Sequence, residues 1–170
     1  MNKLVVAVMG NRDSGKSQTW KTLFDDPEIR TAQKSLRDLR FTDKEFAKVF
    51  LINGSPQERK KAVEEIIQVG FDPAIVLCSI QYSDGAMDTL RYFAKKDYFI
   101  YLHWLNPGYK DTQSYNDHRK LIPQILEMNS MVGKRNGKDD EAERVEELTN
   151  YIYGWSKRNG LLKTYIMTKI

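Results

Sequence analysis

Apolar residues along the chain fall into two rhythms, and their alternation predicts strands and helices in turn. Residues 4–9, Leu-Val-Val-Ala-Val-Met, form an unbroken apolar run of strand length, after which Trp20, Leu23 and Phe24 recur at helical spacing until Asp25-Asp26-Pro27. Residues 46–52 read as a strand. Behind it, Ser55-Pro56-Gln57-Glu58 is a capping box with proline at the first helical position, and Ala62, Val63, Ile66 and Ile67 mark one face of a helix ending at Gly70. Residues 74–80 form an apolar run in which Ser79 is the one polar residue, as expected of a parallel strand buried on both faces. Met87, Leu90 and Ala94 mark a helix closing at Lys95-Lys96, and residues 98–105 a strand broken by Asn106-Pro107-Gly108. The polar stretch 109–119 reads as loop, 121–131 as a helix with Pro123 near its start, and 133–138 as a basic loop flanked by glycines. A long helix then carries Val145, Leu148, Ile152 and Trp155 on one stripe and stops at Gly160, leaving 161–170 for a final strand. Residues 28–43 are charged, and within them 35–41 fits either a strand or an irregular lid.

Strands alternating with helices predict an α/β fold with a mainly parallel central sheet flanked by helices. The 170 residues are expected to form a single domain, 1–170, and 41% hydrophobic with 29% charged residues excludes global disorder. No apolar stretch is long enough to span a bilayer. Lys3 before apolar residues has the outline of a secretion signal, but the run is short and meets Arg12 and Asp13, so it reads as the first strand. The single cysteine, Cys78, lies inside an apolar run, which excludes an internal disulfide or a multi-cysteine metal site and points to a reducing, cytoplasmic setting. It is expected to be a buried packing residue. The net charge of +4 suits phosphorylated ligands without itself indicating nucleic acid.

The chemistry concentrates in Gly10-Asn11-Arg12-Asp13-Ser14-Gly15-Lys16-Ser17, which satisfies G-x-x-x-x-G-K-[ST] directly after the first strand. Glycines at those positions let the backbone curl so that successive N–H groups face a phosphate chain, with the following helix dipole adding attraction. This segment resembles the phosphate-binding loop of the P-loop NTPases. The resemblance implies a three-layer fold of that family and a nucleotide site running from Gly10 to Gln18, with Lys16 on the terminal phosphates and Ser17 holding Mg²⁺. The plain alternative is a glycine-rich turn that binds nothing, although such a turn has no need of Lys16 and Ser17.

The family's second acidic element, an Asp ending a neighbouring strand, has no clean counterpart. Ser79, Gln81 or Asp84 could polarise a metal-bound water, Asp84 being the carboxylate assigned to the metal although a helix N-cap is the favoured reading of it. The guanine-reading Asn-Lys-x-Asp and the strand-end Asp-x-x-Gly are absent, which disfavours a GTP switch and points to ATP. The organisation is similar to that of small P-loop kinases, and Val76-Leu77-Cys78-Ser79-Ile80 with Leu90-Arg91 downstream is similar, over a few dozen residues, to a segment of the gluconate-kinase-like proteins. That family's Asp-containing strand after the first helix is missing here.

Kinase lids clamp the transferring group with arginines. Arg119, Lys120, Lys134, Arg135 and Lys138 are in position for this, and Arg119 and Arg135 join Lys16 as expected catalytic residues. The plain reading of each is a solvated loop charge. Asp13 is expected to point outward, away from a bound phosphate, and to meet a cation such as Arg12, the alternative being that it faces a second substrate or orients a water. His103 and His118 stand without metal-ligand spacing, and Tyr98, Phe99, Tyr101 and Trp104 fit sheet packing better than base stacking. The preferred function is phosphoryl transfer from Mg-ATP to an unidentified small-molecule or nucleotide acceptor. The alternatives are a nucleotide-dependent regulatory module with little or no hydrolysis, and an NTPase acting on nucleic acid.

Overall fold

The structure, a computed structural model, describes residues 2–31 and 35–166. Its strands are β1 (Lys3–Gly10), β2 (Arg37–Arg40), β3 (Glu45–Ile52), β4 (Ile75–Gln81), β5 (Tyr98–Leu105), β6 (Ser130–Arg135) and β7 (Lys163–Thr164). Its helices are α1 (Lys16–Phe24), α2 (Pro56–Arg59), α3 (Val63–Ile67), α4 (Ala86–Lys95), α5 (Leu121–Leu126) and α6 (Glu141–Arg158). They build one open, mostly parallel sheet in the order β2-β3-β4-β1-β5-β6, with β7 paired to β3 off that path.

The most apolar strands occupy the middle of the sheet, because only there are both faces covered. On one face Val5, Ala7 and Met9 of β1 pack with Val76, Cys78 and Ile80 of β4 beneath the buried side chains of α3, α4 and α5. On the other, Leu4, Val6 and Val8 pack with Ile75 and Leu77 beneath Trp20 of α1 and Leu148 and Ile152 of α6. Helices therefore flank the sheet on both sides. Parallel pairing of β1 with β4 and β5, and of β5 with β6, brings the carboxyl ends of these strands to one edge, with Gly10 opposite Gln81 and Leu105 opposite Arg135. Ligands of open parallel sheets bind at that edge. Among the described residues, no helix is long and apolar enough to cross a membrane.

Four expectations are corrected. The single helix expected to end at Gly70 is two, α2 and α3, separated where Lys60 takes φ 53° and Ala62 turns out to solvent. The break follows from two anchors. Gln57 fixes α2 to the end of β4 by accepting from Gln81 N at 3.1 Å and donating to Gly85 O and Thr89 Oγ1, while Val63, Ile66 and Ile67 turn α3 into the core. The helix expected over 121–131 stops at Leu126, and residues 133–135 belong to strand β6 rather than to a loop. Among the described residues β6 pairs only with β5 at the sheet's edge, so none of its residues is fully buried and its apolar signal is thin. Of the strand expected in 161–170, Lys163–Thr164 pairs antiparallel with Glu45 and Phe46, and residues 167–170 lie outside the described residues. In the ambiguous 28–43 stretch, of which 32–34 also lie outside the described residues, Arg37–Arg40 is a strand antiparallel to β3.

Candidate functional site

The Gly10–Ser17 loop leaves β1 in the centre of the sheet and enters α1, and its two glycines serve different ends. Gly15 takes φ +102° as the N-cap of α1, a conformation few side chains tolerate. Gly10 is needed for room, since a Cβ there would lie 2.4 Å from Ser14 Oγ. Ser14 is buried beneath the chain that follows β5, where a Cβ on Gly108 would come within 2.4 Å of Ser14 Cβ, and beneath Gly137, where one would lie 2.7 Å from Ser14 O. Backbone bonds seal this packing. Tyr109 N donates to Ser14 O at 3.0 Å, Lys110 N to Asp13 O at 3.2 Å and Gly137 N to Pro107 O at 2.7 Å. Asn11 Nδ2 adds a bond to Asp111 Oδ1 at 3.2 Å.

Lys16 folds back into the loop and is only 5% exposed. Its Nζ donates to Asn11 O at 2.8 Å, Gly10 O at 3.2 Å and Gln81 Oε1 at 3.2 Å, with the Glu58 carboxylate 3.7 Å away. Burial lowers its pKa below the usual lysine value, and Glu58 opposes that shift. Glu58 reaches this place because it is the third helical residue of the Ser55 capping box, in which Ser55 Oγ accepts from Glu58 N at 3.1 Å and Glu58 Oε2 from Ser55 N at 3.2 Å.

Lys16, Ser17 and Glu58 open onto a cleft of about 610 Å³ whose far wall comes from Tyr109, Gly137, Lys138 and the start of α6. The first-turn amides of α1 have no partners inside the helix and face this end of the sheet. Carboxylates on the α6 side are engaged within the wall: Asp140 caps α6 by accepting from Ala142 N, and Glu141 Oε1 accepts from Gln18 Nε2 at 3.3 Å and Thr22 Oγ1 at 3.2 Å. Arg144 is 5% exposed and lines the same cleft, with Nε donating to Thr19 Oγ1 at 3.2 Å. A second hollow of about 490 Å³ is lined by Asn11, His118 and residues 111–116.

Of the expected nucleotide-binding residues, Asp13, Ser14, Gly15, Lys16, Ser17 and Gln18 line the cleft, and Gly10 and Asn11 hold Lys16 from behind. Arg12 is exposed outside it. Asp84 is not brought to the cleft; its carboxylate, 90% exposed, takes Arg119 Nη1 at 2.7 Å, and it caps no helix because Gly85 is the N-cap of α4. Arg119 is thereby committed to Asp84 and the Tyr82 ring. Arg135 closes on Glu147 of α6, which raises the arginine's pKa and lowers the carboxylate's. Ser79 accepts the indole N–H of Trp20 in the interior, and Gln81 alone of the three polar strand-end residues meets Lys16. His103 is fully buried with Nε2 3.1 Å from Tyr101 Oη, and burial pushes its pKa down to about 4. Cys78 is a buried thiol whose pKa burial raises, and Tyr98, Tyr101 and Trp104 are buried in sheet packing.

Sequence reasoning missed Glu58 as a site residue, along with Gly108, Gly137 and Arg144. Glu58 carried a signal that was read as a cap, and the glycines were read as turn and lid. Arg144 had none. Among the described residues no three His, Cys, Asp or Glu side chains form a metal cluster. No protein-family model matches the chain, and no curated protein matches it.

Proposed function

We propose that the chain is a P-loop NTPase-type domain that binds Mg-ATP in the 610 Å³ cleft and transfers or hydrolyses its terminal phosphoryl group. The observation carrying this reading is Lys16, a desolvated cation held by the carbonyls of its own glycine loop and aimed, with Glu58 and Ser17, into a cleft at the carboxyl edge of a parallel sheet. A buried ammonium whose partners are mainly neutral gains most from an anion. Amides from Asn11 to Ser17 would cradle the phosphates, and Lys16 would exchange its loop carbonyls for β and γ oxygens.

The donors present suit Mg²⁺, an ion that keeps waters and ligand phosphates and asks one or two groups of the protein. Ser17 and Glu58 would hold it, and it would neutralise charge on the phosphate oxygens. Glu58, the carboxylate nearest Lys16, is also placed to accept a proton from the attacking hydroxyl or water. ATP is preferred because the guanine-reading element is missing from the sequence.

A second reading, a regulatory module that binds the triphosphate without turning it over, is favoured by the commitment of Arg119 and Arg135 to Asp84 and Glu147. One experiment addresses both. Mg-ATP is titrated into the parent and Lys16→Ala, and phosphate release is followed with and without candidate acceptors. Parent binding that weakens by roughly 1.5–3 kcal/mol in the variant is expected, from lost charge-assisted bonds. Equal affinity in the two proteins sinks the site, and binding without turnover selects the module.

A further inference from the structure

We propose that Arg144 is a second cation for the ligand's phosphate chain, an inference that rests on the nucleotide reading of the cleft. Arg144 is 5% exposed, and its guanidinium is placed from the first turns of α6 against the start of α1. Its Nε has a neutral partner, Thr19 Oγ1 at 3.2 Å, and Thr19 in turn donates to Gly15 O at 2.9 Å. Its Nη2 stands 3.2 Å from where a Cβ would project from Gly15, so the residue before Lys16 is glycine both for its φ of +102° and for the space this arginine fills. Its Nη1 is buried and has no hydrogen-bond partner among the described residues.

The carboxylates nearest in sequence lean toward Arg144 without pairing. Glu141, Asp139 and Asp140 stabilise its charge through space, yet none holds it in an ion pair, and Asp140 and Glu141 are bonded to Ala142 N, Gln18 and Thr22. Arg135, at the end of β6 and outside the cleft, shows the contrast, since it owns a carboxylate partner in Glu147. A guanidinium stays charged in proteins, so burying one with a single neutral acceptor destabilises the free protein. Such an arrangement is compensated when an anion arrives. Because Arg144 and Lys16 border the same cleft from opposite helices, a phosphate chain entering it would meet a cation on each side.

The test uses the full chain, Arg144→Met and Arg144→Lys. Affinities for Mg-ATP and for tripolyphosphate are measured by titration calorimetry, and the melting temperature of each protein is taken without ligand. Met keeps the apolar stem of the side chain and removes the guanidinium and its charge. It is expected to weaken both ligands roughly tenfold or more, while the ligand-free protein melts no lower than the parent. Lys, which keeps the charge but not the planar fork, falls between. Unchanged affinity in Arg144→Met overturns the proposal, as does a Met variant that melts lower or fails to fold, because Arg144 is then a structural bond to Thr19. A loss for ATP with none for tripolyphosphate also overturns it. A parent that takes up neither ligand sinks the reading of the cleft itself and this inference with it, whereas parent binding retained in Arg144→Met sinks this inference alone.

Discussion

Replacing Gly10 by alanine tests whether the loop's first glycine is there for space. Of the loop's two glycines only Gly15 has a positive φ, so alanine at position 10 meets no backbone penalty of that kind. Its Cβ would instead lie 2.4 Å from Ser14 Oγ, 2.8 Å from Ser14 Cβ and 3.3 Å from Leu105 O. Ser14 has little room to retreat, because its far side meets Gly108 and Gly137 and its carbonyl accepts from Tyr109 N. Overpacking of this kind costs about 1–3 kcal/mol. For a domain of this size each kcal/mol lowers the melting temperature by about 2–4 °C, which puts Gly10→Ala about 2–12 °C below the parent. Ser14→Gly removes both clashing atoms at a cost of its own of about 0.5–1 kcal/mol from added chain freedom. The double variant should then be more stable than the sum of the singles by about 1–2 kcal/mol, a coupling of ordinary size for residues in contact. Thermal and urea melts of the four proteins measure the cycle. A Gly10→Ala protein that melts with the parent, or strict additivity, would refute the packing argument.

Three further outcomes are open to direct measurement. Glu58→Gln keeps the capping box, since glutamine serves there too, and is expected to lower turnover roughly a hundredfold with a smaller change in ATP affinity; unchanged turnover removes Glu58 from the chemistry. Arg119→Ala and Arg135→Ala are expected to leave ATP affinity and turnover within about twofold, because each guanidinium already owns a carboxylate, Asp84 and Glu147, in partly exposed pairs of small worth; a tenfold loss in either would restore it as a phosphate clamp. His103 titrates at about 4 in the folded protein against 6.5 for the free side chain, so the unfolded chain binds more protons between those values and stability falls on acidification across that window, by up to about 3 kcal/mol. In chemical denaturation at pH 6.5 and pH 4, His103→Gln should lose less stability than the parent, and an equal loss in the two proteins assigns the acid sensitivity to other groups.

How much of this was legible follows from where each signal lives. β1, β4 and β5 could be read because strands covered on both faces are apolar along most of their length, with Ser79 and His103 as buried polar exceptions, and the Gly10–Ser17 loop because its demands are met by adjacent residues. β6, with no fully buried residue at the edge, dilutes its apolar signal, and the break between α2 and α3 depends on Gln57 reaching β4, a contact that no local pattern announces. Arg119 and Arg135 were taken for clamps because a sequence displays a charge without its counter-charge; Asp84 and Glu147 become visible as their partners only once the chain is folded. Arg144 is the reverse case. Nothing beside it in the chain marks it out among the 27 arginines and lysines, yet folding buries it against Gly15 and leaves it without an ion-paired carboxylate among the described residues. The motif therefore located the floor of the cleft, whereas the far wall is assembled from distant residues whose roles depend on what they pack against, and it is there that folding leaves the Arg144 charge without an ion-pair partner.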